Sequence, residues 1–206
     1  MTIKSFAGAA LCVLALCLTA QAQEKGAAGA KKEPVMDEKQ KAAMEAWQKA
    51  STPGPQHQKL ADMAGTWEVT IKSFEGGGEP QVSTGKATRK MIMGGRFLQE
   101  EYTGTYMGQP FNGMGFTGYD NIMKRFTMVW LDSMGTGVMV GNGEMDPAGK
   151  VLTSSMTYSD ALTGKQALVR QVMKKESKDA ETFEMYGPGP DGKEVRMMEM
   201  TYKRVK

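Results

Sequence analysis

The sequence predicts a mainly β protein: an antiparallel up-and-down barrel of about ten strands, preceded by one or two short helices. Strand-like segments recur about every dozen residues after residue 65, each bounded by glycine, proline, aspartate or asparagine. No long crossover helix is expected between them. An antiparallel meander of this length should close on itself, because an open edge invites pairing with other chains. A two-sheet sandwich is the alternative that the same pattern allows.

The alternation of residue types places each strand between turn residues. The predicted strands are 66–74, 82–93, 96–105, 111–119, 124–132, 137–145, 150–159, 165–175, 180–186 and 194–204. Aspartates in the turns are expected to accept hydrogen bonds from turn backbone groups. A barrel of this many strands is wide enough to enclose a cavity.

Residues 1–22 are expected to form a signal peptide. Lys4 supplies the positive charge, Phe6 to Leu18 form an apolar run too short for a comfortable membrane span, and Ala20-Gln21-Ala22 is a small-x-small cleavage site. Both cysteines of the chain lie in this segment, so the processed protein would have no thiol for disulfides or catalysis. Lipidation of Cys17 is disfavoured because a leucine precedes it. The expected location is periplasmic or secreted.

Three further segments follow the signal peptide. Residues 23–35 have low complexity and are expected to be a disordered tether, residues 36–55 an N-terminal helix and linker, and residues 56–206 the barrel domain. The apolar positions of the first helix form one narrow stripe that includes Trp47. A second short helix over 56–64 is expected to close one end of the barrel.

The Gly65-Thr66-Trp67 step at the start of the first strand resembles the lipocalin-type (calycin) barrels. The resemblance implies that Trp67 packs across the barrel floor against a basic residue of the last strand, for which Arg204 is the candidate, as a cation–π pair. Together with the packed His57, these residues are expected to close the barrel.

A closer resemblance covers roughly residues 56–204. It is carried by the motifs His57-x-x-Leu60, Gly65-Thr66-Trp67, Gly94-Gly95-Arg96-Phe97, Pro110-Phe111-x-Gly113, Gly118-Tyr119-Asp120-Asn121, Trp130-x-Asp132 and Gly143-x-x-Asp146. With these motifs the chain is similar to DUF1579, a family of secreted bacterial proteins of unknown function. The resemblance implies a lipocalin-like fold and export, and it transfers no catalytic residues.

The third strand offers candidate ligand-binding residues. Arg96, Glu100 and Tyr102 share one face by the two-residue period, and on the interior they would form a polar patch that orients a ligand. The alternative is that Phe97 points inward and the Arg96 face is solvated. Tyr119, Trp130 and Asp132 complete the candidate set; Trp130 shares a strand face with Phe126 and Met128, which indicates a core or cavity wall.

No cofactor is expected. His57 is the only histidine, which excludes a multi-histidine metal site, and it is expected to pack rather than to bind heme. The 19 methionines include the i, i+2 pairs Met91/Met93 and Met198/Met200, each expected to share a strand face, and such pairs could hold Cu(I). Because methionines are spread over nearly every strand, an adaptable apolar lining is the favoured interpretation.

These patterns favour an exported protein that binds a small apolar or amphipathic molecule in a cavity lined by methionine and aromatic side chains. A structural or protein-interaction domain with a filled barrel, anchored through Trp47, is the alternative. A hydrolase or isomerase using interior carboxylates is the weaker alternative, so the protein is not expected to be an enzyme. The net charge of +3, without a basic stripe, gives no reason to expect a nucleic acid partner.

Overall fold

The computed structural model describes residues 36–74, 79–189 and 191–206. The predicted signal peptide over 1–22 and the predicted tether over 23–35 lie outside the described residues. From Asp37 to Lys206 the chain forms one compact unit.

Ten antiparallel strands form a closed barrel, as predicted. Each strand pairs with its neighbours in the sequence, and β1 pairs with β10 to complete the ring, which excludes the two-sheet sandwich. The strands are β1 (Gly65–Ser73), β2 (Gln81–Ile92), β3 (Phe97–Tyr106), β4 (Gln109–Asp120), β5 (Arg125–Asp132), β6 (Met139–Met145), β7 (Val151–Asp160), β8 (Lys165–Lys175), β9 (Ala180–Pro188) and β10 (Glu194–Arg204). Their observed limits differ from the predicted ones by at most two residues.

Two helices precede the barrel, α1 (Glu38–Ser51) and α2 (Pro55–Ala61). Helix α1 begins with a capping box, in which Asp37 accepts from the backbone of Gln40, and it has no buried residue. Its end is attached to the β4–β5 turn, where the side-chain amide of Asn121 donates to the carbonyl oxygens of Ala50 and Thr52. No helix in the described part of the chain is long and apolar enough to cross a membrane.

Helix α2 packs against β2, β3 and β4, and we call this end of the barrel the closed end. Leu60 of α2 is fully buried in a cluster with Leu98, Phe126 and Leu152. Burial of these four side chains gives the closed end its apolar core. The other end, which carries the β3–β4, β5–β6 and β7–β8 turns, is called the open end.

The turn aspartates accept backbone hydrogen bonds as predicted. Asp120 accepts from Ile122 and Met123, and Asp146 accepts from Lys150 and Val151. The pKa of Asp120 is lowered mainly by these backbone donors, because they stabilise the carboxylate form. Asp160 and Asp191 each accept from a backbone N–H two residues further on.

Candidate functional site

The barrel encloses a cavity of about 360 Å³ that extends from α2 to the open end. Leu60 and Met63 line it at the closed end, and Tyr106 and Met134 line it at the open end. The volume lies within the range of small-molecule sites in proteins, which are mostly apolar with a few polar groups.

Methionine is the most frequent residue in the cavity wall. Nine of the 19 methionines line it: Met63, Met128, Met134, Met139, Met156, Met173, Met185, Met198 and Met200. They come from six strands, the β5–β6 turn and the α2–β1 connection, so no single segment carries the lining. Unbranched, polarizable thioethers adapt their shape to different apolar partners.

Three charged residues form an ionic cluster at the floor of the cavity, which we call the Arg89 cluster. Nε of Arg89 lies 2.5 Å from Oε2 of Glu100, and Nη1 lies 2.5 Å from Oε2 of Glu181. Arg89 is 2% exposed, and so is Glu181. Burial alone disfavours the charged guanidinium, but the carboxylate of Glu100, with that of Glu181, outweighs it and raises the pKa of Arg89 above its usual range.

Aromatic rings enclose the Arg89 guanidinium. Its central carbon lies 4.5 Å from the ring centroid of Tyr202 and 5.3 Å from that of Trp67. Both distances fall within cation–π range. The pKa of Tyr202 is raised, because burial and then the negative charge of Glu100 oppose its ionisation.

Two residues of the cavity wall each have a buried polar atom without a hydrogen-bond partner among the described residues. These atoms are Nη2 of Arg89 and the hydroxyl oxygen of Tyr102. The Tyr102 hydroxyl lies over Gly85 and Gly104, where any Cβ atom would overlap it. Buried polar groups in native proteins are nearly always paired, so unpaired ones in a cavity wall indicate positions where a guest can contribute the missing bond.

A second polar group lies near the open end. Nε1 of Trp130 donates to Oδ2 of Asp132 at 2.9 Å, and Oδ1 of Asp132 accepts from the backbone of Met134 at 2.9 Å. The Trp130 ring packs against Gly113 and Gly115: a Cβ at Gly113 would overlap the ring, and one at Gly115 would lie 3.0 Å from a ring carbon. The two glycines therefore fix the indole against the wall.

Four of the six predicted ligand-binding residues line the cavity: Glu100, Tyr102, Trp130 and Asp132. The Arg96 face of β3 does point inward, but Arg96 itself precedes the strand and is exposed, donating to the carbonyl oxygen of Met93 in the turn. Tyr119 is not among the lining residues. It packs at the closed end, with ring centroids 5.0 Å from Phe126 and 6.0 Å from His57.

The residues predicted to close the barrel lie together at the closed end. The guanidinium carbon of Arg204 is 4.0 Å from the ring centroid of Trp67, and its Nη2 donates to the carbonyl oxygen of Asp62 at 2.8 Å. Arg204 also donates to the carbonyl oxygen of Ala64. It therefore covers the tryptophan and satisfies carbonyl groups at the end of α2.

His57 is buried on α2 and does not line the cavity. Its Nδ1 accepts from the backbone N–H of Gly54 at 3.0 Å. Burial lowers the pKa of His57, against the opposing effect of a hydrogen bond with the backbone of Tyr119. These contacts describe a packed histidine.

The two methionine pairs differ in their positions in the barrel. Met198 and Met200 both line the cavity, whereas the expectation that Met91 and Met93 share a strand face is wrong. Met93 lies in the β2–β3 turn with a φ of 49° and is exposed. Among the described residues, no group of three or more histidine, cysteine, aspartate or glutamate side chains could hold a metal ion.

Arg89 and Glu181 were not identified from the sequence, although a signal was present. Arg89 shares the two-residue period of Ala87 and Met91, and Glu181 shares that of Phe183 and Met185. A charged residue in phase with inward apolar residues on each of two strands indicates a buried ion pair.

The barrel is similar to solved structures. Rv2717c from M. tuberculosis matches with a TM-score of 0.59 at 13% identity, over 75% of this chain and 100% of that chain. Two redesigned β-barrels match at TM-scores of 0.39. One of them, b11L5F_LGL, is 18% identical and covers 72% of this chain and 96% of its own chain. The other, mFAP1 bound to DFHBI, is 19% identical and covers 72% of this chain and 97% of its own chain.

No curated protein matches the sequence. The Rv2717c structure supports the fold alone. The profile described as "Protein of unknown function (DUF1579)" matches residues 52–204, which include α2 and all ten strands. The chain therefore belongs to the DUF1579 family.

Proposed function

We propose that this protein binds a small, largely apolar or amphipathic molecule inside the barrel, in an exported setting. The observation that carries the proposal is the cavity of about 360 Å³, whose wall combines nine methionines with Arg89 and Tyr102, each of which has a buried polar atom without a partner in the described part of the chain. A barrel evolved only for stability would be expected to fill this space, because voids in a core reduce the free energy of unfolding.

The arrangement of the wall suggests how a guest is held. The methionine and aromatic side chains provide apolar contact area without a fixed shape. The Arg89 cluster at the floor and the Trp130–Asp132 pair near the open end provide polar contacts at two depths. A few fixed polar groups in an apolar cavity set the orientation of the guest.

Native mass spectrometry of the protein purified from its own host tests the proposal directly. A retained molecule with an apolar portion is the expected result, and the N-terminal residue of the same sample tests export, which predicts a start near Gln23. A protein without any retained molecule that also fails to bind apolar fluorescent dyes would contradict the proposal.

A pair of substitutions locates the binding site. Thr117 lines the cavity, so Thr117→Phe should fill part of it and weaken dye binding by at least about tenfold. Thr103 is exposed on the outer face of β3, so Thr103→Phe should leave binding unchanged. Equal effects of the two variants would place the dye outside the barrel.

Helix α1 supports a second candidate function, docking of a partner protein. Trp47 is 72% exposed on a helix without buried residues, and exposed tryptophans are frequent anchors at interfaces. Deletion of residues 23–50 should then remove a partner from pull-downs while cavity binding persists. Retention of every partner would contradict this candidate.

A further inference from the structure

The charge balance of the Arg89 cluster is uneven. One guanidinium faces two carboxylates, so one positive and two negative groups give a formal charge of −1. The side chains of Arg89 and Glu181 are 0% and 2% exposed, which limits screening by solvent and salt. An anionic group at the floor would therefore meet an already negative environment.

The same cluster nevertheless offers hydrogen bonds to a guest. Nη2 of Arg89 has no acceptor among the described residues, and a guanidinium nitrogen can only donate. Glu100 also lines the cavity, where its side chain is 17% exposed, and a carboxylate can only accept. An oxygen that accepts from Arg89 would satisfy the buried donor, and a hydroxyl could also donate to Glu100.

We infer that the guest is a neutral amphiphile whose hydroxyl or carbonyl oxygen accepts from Nη2 of Arg89. The cavity then discriminates against a carboxylate on the same apolar chain. This inference rests on the proposed cavity binding and specifies the chemistry of its ligand. Specificity arises here from repulsion of the anion as much as from attraction of the neutral group.

Decanol and decanoate form a matched pair of probes, because they share an apolar chain and differ in the charge of the head group. Each displaces an apolar fluorescent dye from the full processed protein at pH 7.5 and low salt. Decanol is expected to bind at least about tenfold more tightly than decanoate. Equal binding, or tighter binding of decanoate, would overturn the inference and leave cavity binding intact.

Substitution of Glu181 tests the cause of the selectivity. Glu181 lies behind Arg89 and does not line the cavity, and the amide oxygen of Glu181→Gln can still accept from Nη1. The variant makes the cluster formally neutral. Its affinity for decanoate should rise about tenfold, whereas its affinity for decanol should change by less than about twofold.

Glu101→Gln is the control, because Glu101 has the same chemistry and lies on the outer face of the barrel next to Glu100. It should change neither affinity, and a change as large as that of Glu181→Gln would overturn the inference. If Glu181→Gln fails to fold by circular dichroism, Glu100→Gln removes an equal charge from the cluster; because Glu100 lines the cavity, the test is then the ratio of the two affinities, which should shift toward decanoate, and an unchanged ratio would overturn the inference. Failure of the dye and both probes to bind would contradict the proposed function itself, and the inference with it.

Discussion

Nη1 of Arg89 lies 2.5 Å from Oε2 of Glu181, a residue 92 positions later in the chain. Arg89 is on β2 and Glu181 is on β9, and two strands, β1 and β10, separate them in the sheet. The ion pair therefore spans the interior of the barrel rather than joining adjacent strands.

Arg89→Met is expected to lower the free energy of unfolding by about 3–5 kcal/mol, because it leaves the carboxylate of Glu181 buried without its partner. Urea denaturation followed by circular dichroism measures the change. Arg96→Met is the control: Arg96 is exposed, so the expected change is below about 0.5 kcal/mol. Similar losses in both variants would show that the buried ion pair has no special role.

Tyr102→Phe is expected to keep or raise the free energy of unfolding, by up to about 1 kcal/mol, because it removes a buried hydroxyl without a partner among the described residues. The ring contact with Phe111, with centroids 5.6 Å apart, is retained. Tyr186→Phe removes a hydroxyl that donates to Glu184 at 3.0 Å and should lose about 0.5–1.5 kcal/mol. A loss at Tyr102 as large as that at Tyr186 would reveal a partner for its hydroxyl.

Gly113→Ala is expected to displace the indole of Trp130, because its Cβ would overlap the ring. The predicted loss in the free energy of unfolding is about 1–3 kcal/mol, with a shift in tryptophan fluorescence and weaker dye binding. Gly137→Ala is the control, since the nearest atoms to its Cβ lie 3.9 Å away. Unchanged fluorescence in Gly113→Ala would contradict the packing of Trp130 on β4.

Lowering the pH should destabilise the protein through His57. The folded-state pKa of His57 lies below its ordinary value of 6.5, mainly because of burial, so the unfolded chain binds the proton more readily. The stability that neutral, buried His57 contributes is fully present above pH 6.5 and is lost as the pH falls from that value toward the lower folded-state pKa. Protonated Nδ1 could no longer accept from the N–H of Gly54.

Thermal unfolding of the wild type and of His57→Gln between pH 7.5 and pH 5 measures the effect. The melting temperature of the wild type should fall more steeply with decreasing pH than that of the variant. Aspartates with lowered pKa values, such as Asp120, act at lower pH because their ordinary value is 3.8. Parallel slopes in the two proteins would argue against a neutral, buried His57.

The barrel was predictable because its determinants are local. Glycine and aspartate turns and two-residue alternation are visible within a dozen residues, and the limits of β8 and β10 were predicted without error. For β3 the sequence left two alternatives, and the one in which the Arg96 face points inward is correct, since Leu98 and Tyr102 on that face are buried. Arg96 was misplaced because the Gly94-Gly95 turn extends one residue further than the strand pattern indicates.

The ionic floor of the cavity depends on distant parts of the chain. Alternation can assign Arg89 and Glu181 separately to inward faces, but only the pairing of β1 with β10 brings β2 and β9 near each other. The packing of Trp130 on Gly113 similarly depends on the β4–β5 register. Such contacts depend on the tertiary structure. Local sequence patterns can therefore show which residues face inward, but they cannot show which of these residues contact each other.

Pairing of β1 with β10 sets the earliest time at which the cavity can form. Ala64 and Arg204, which are hydrogen-bonded, are 140 residues apart in sequence, and contacts so distant form slowly during folding. Until the eleven residues of β10 are synthesised, β1 and β9 remain unpaired edges and the cavity lacks Met198 and Met200. The barrel of a growing chain therefore cannot close before β10 has been synthesised.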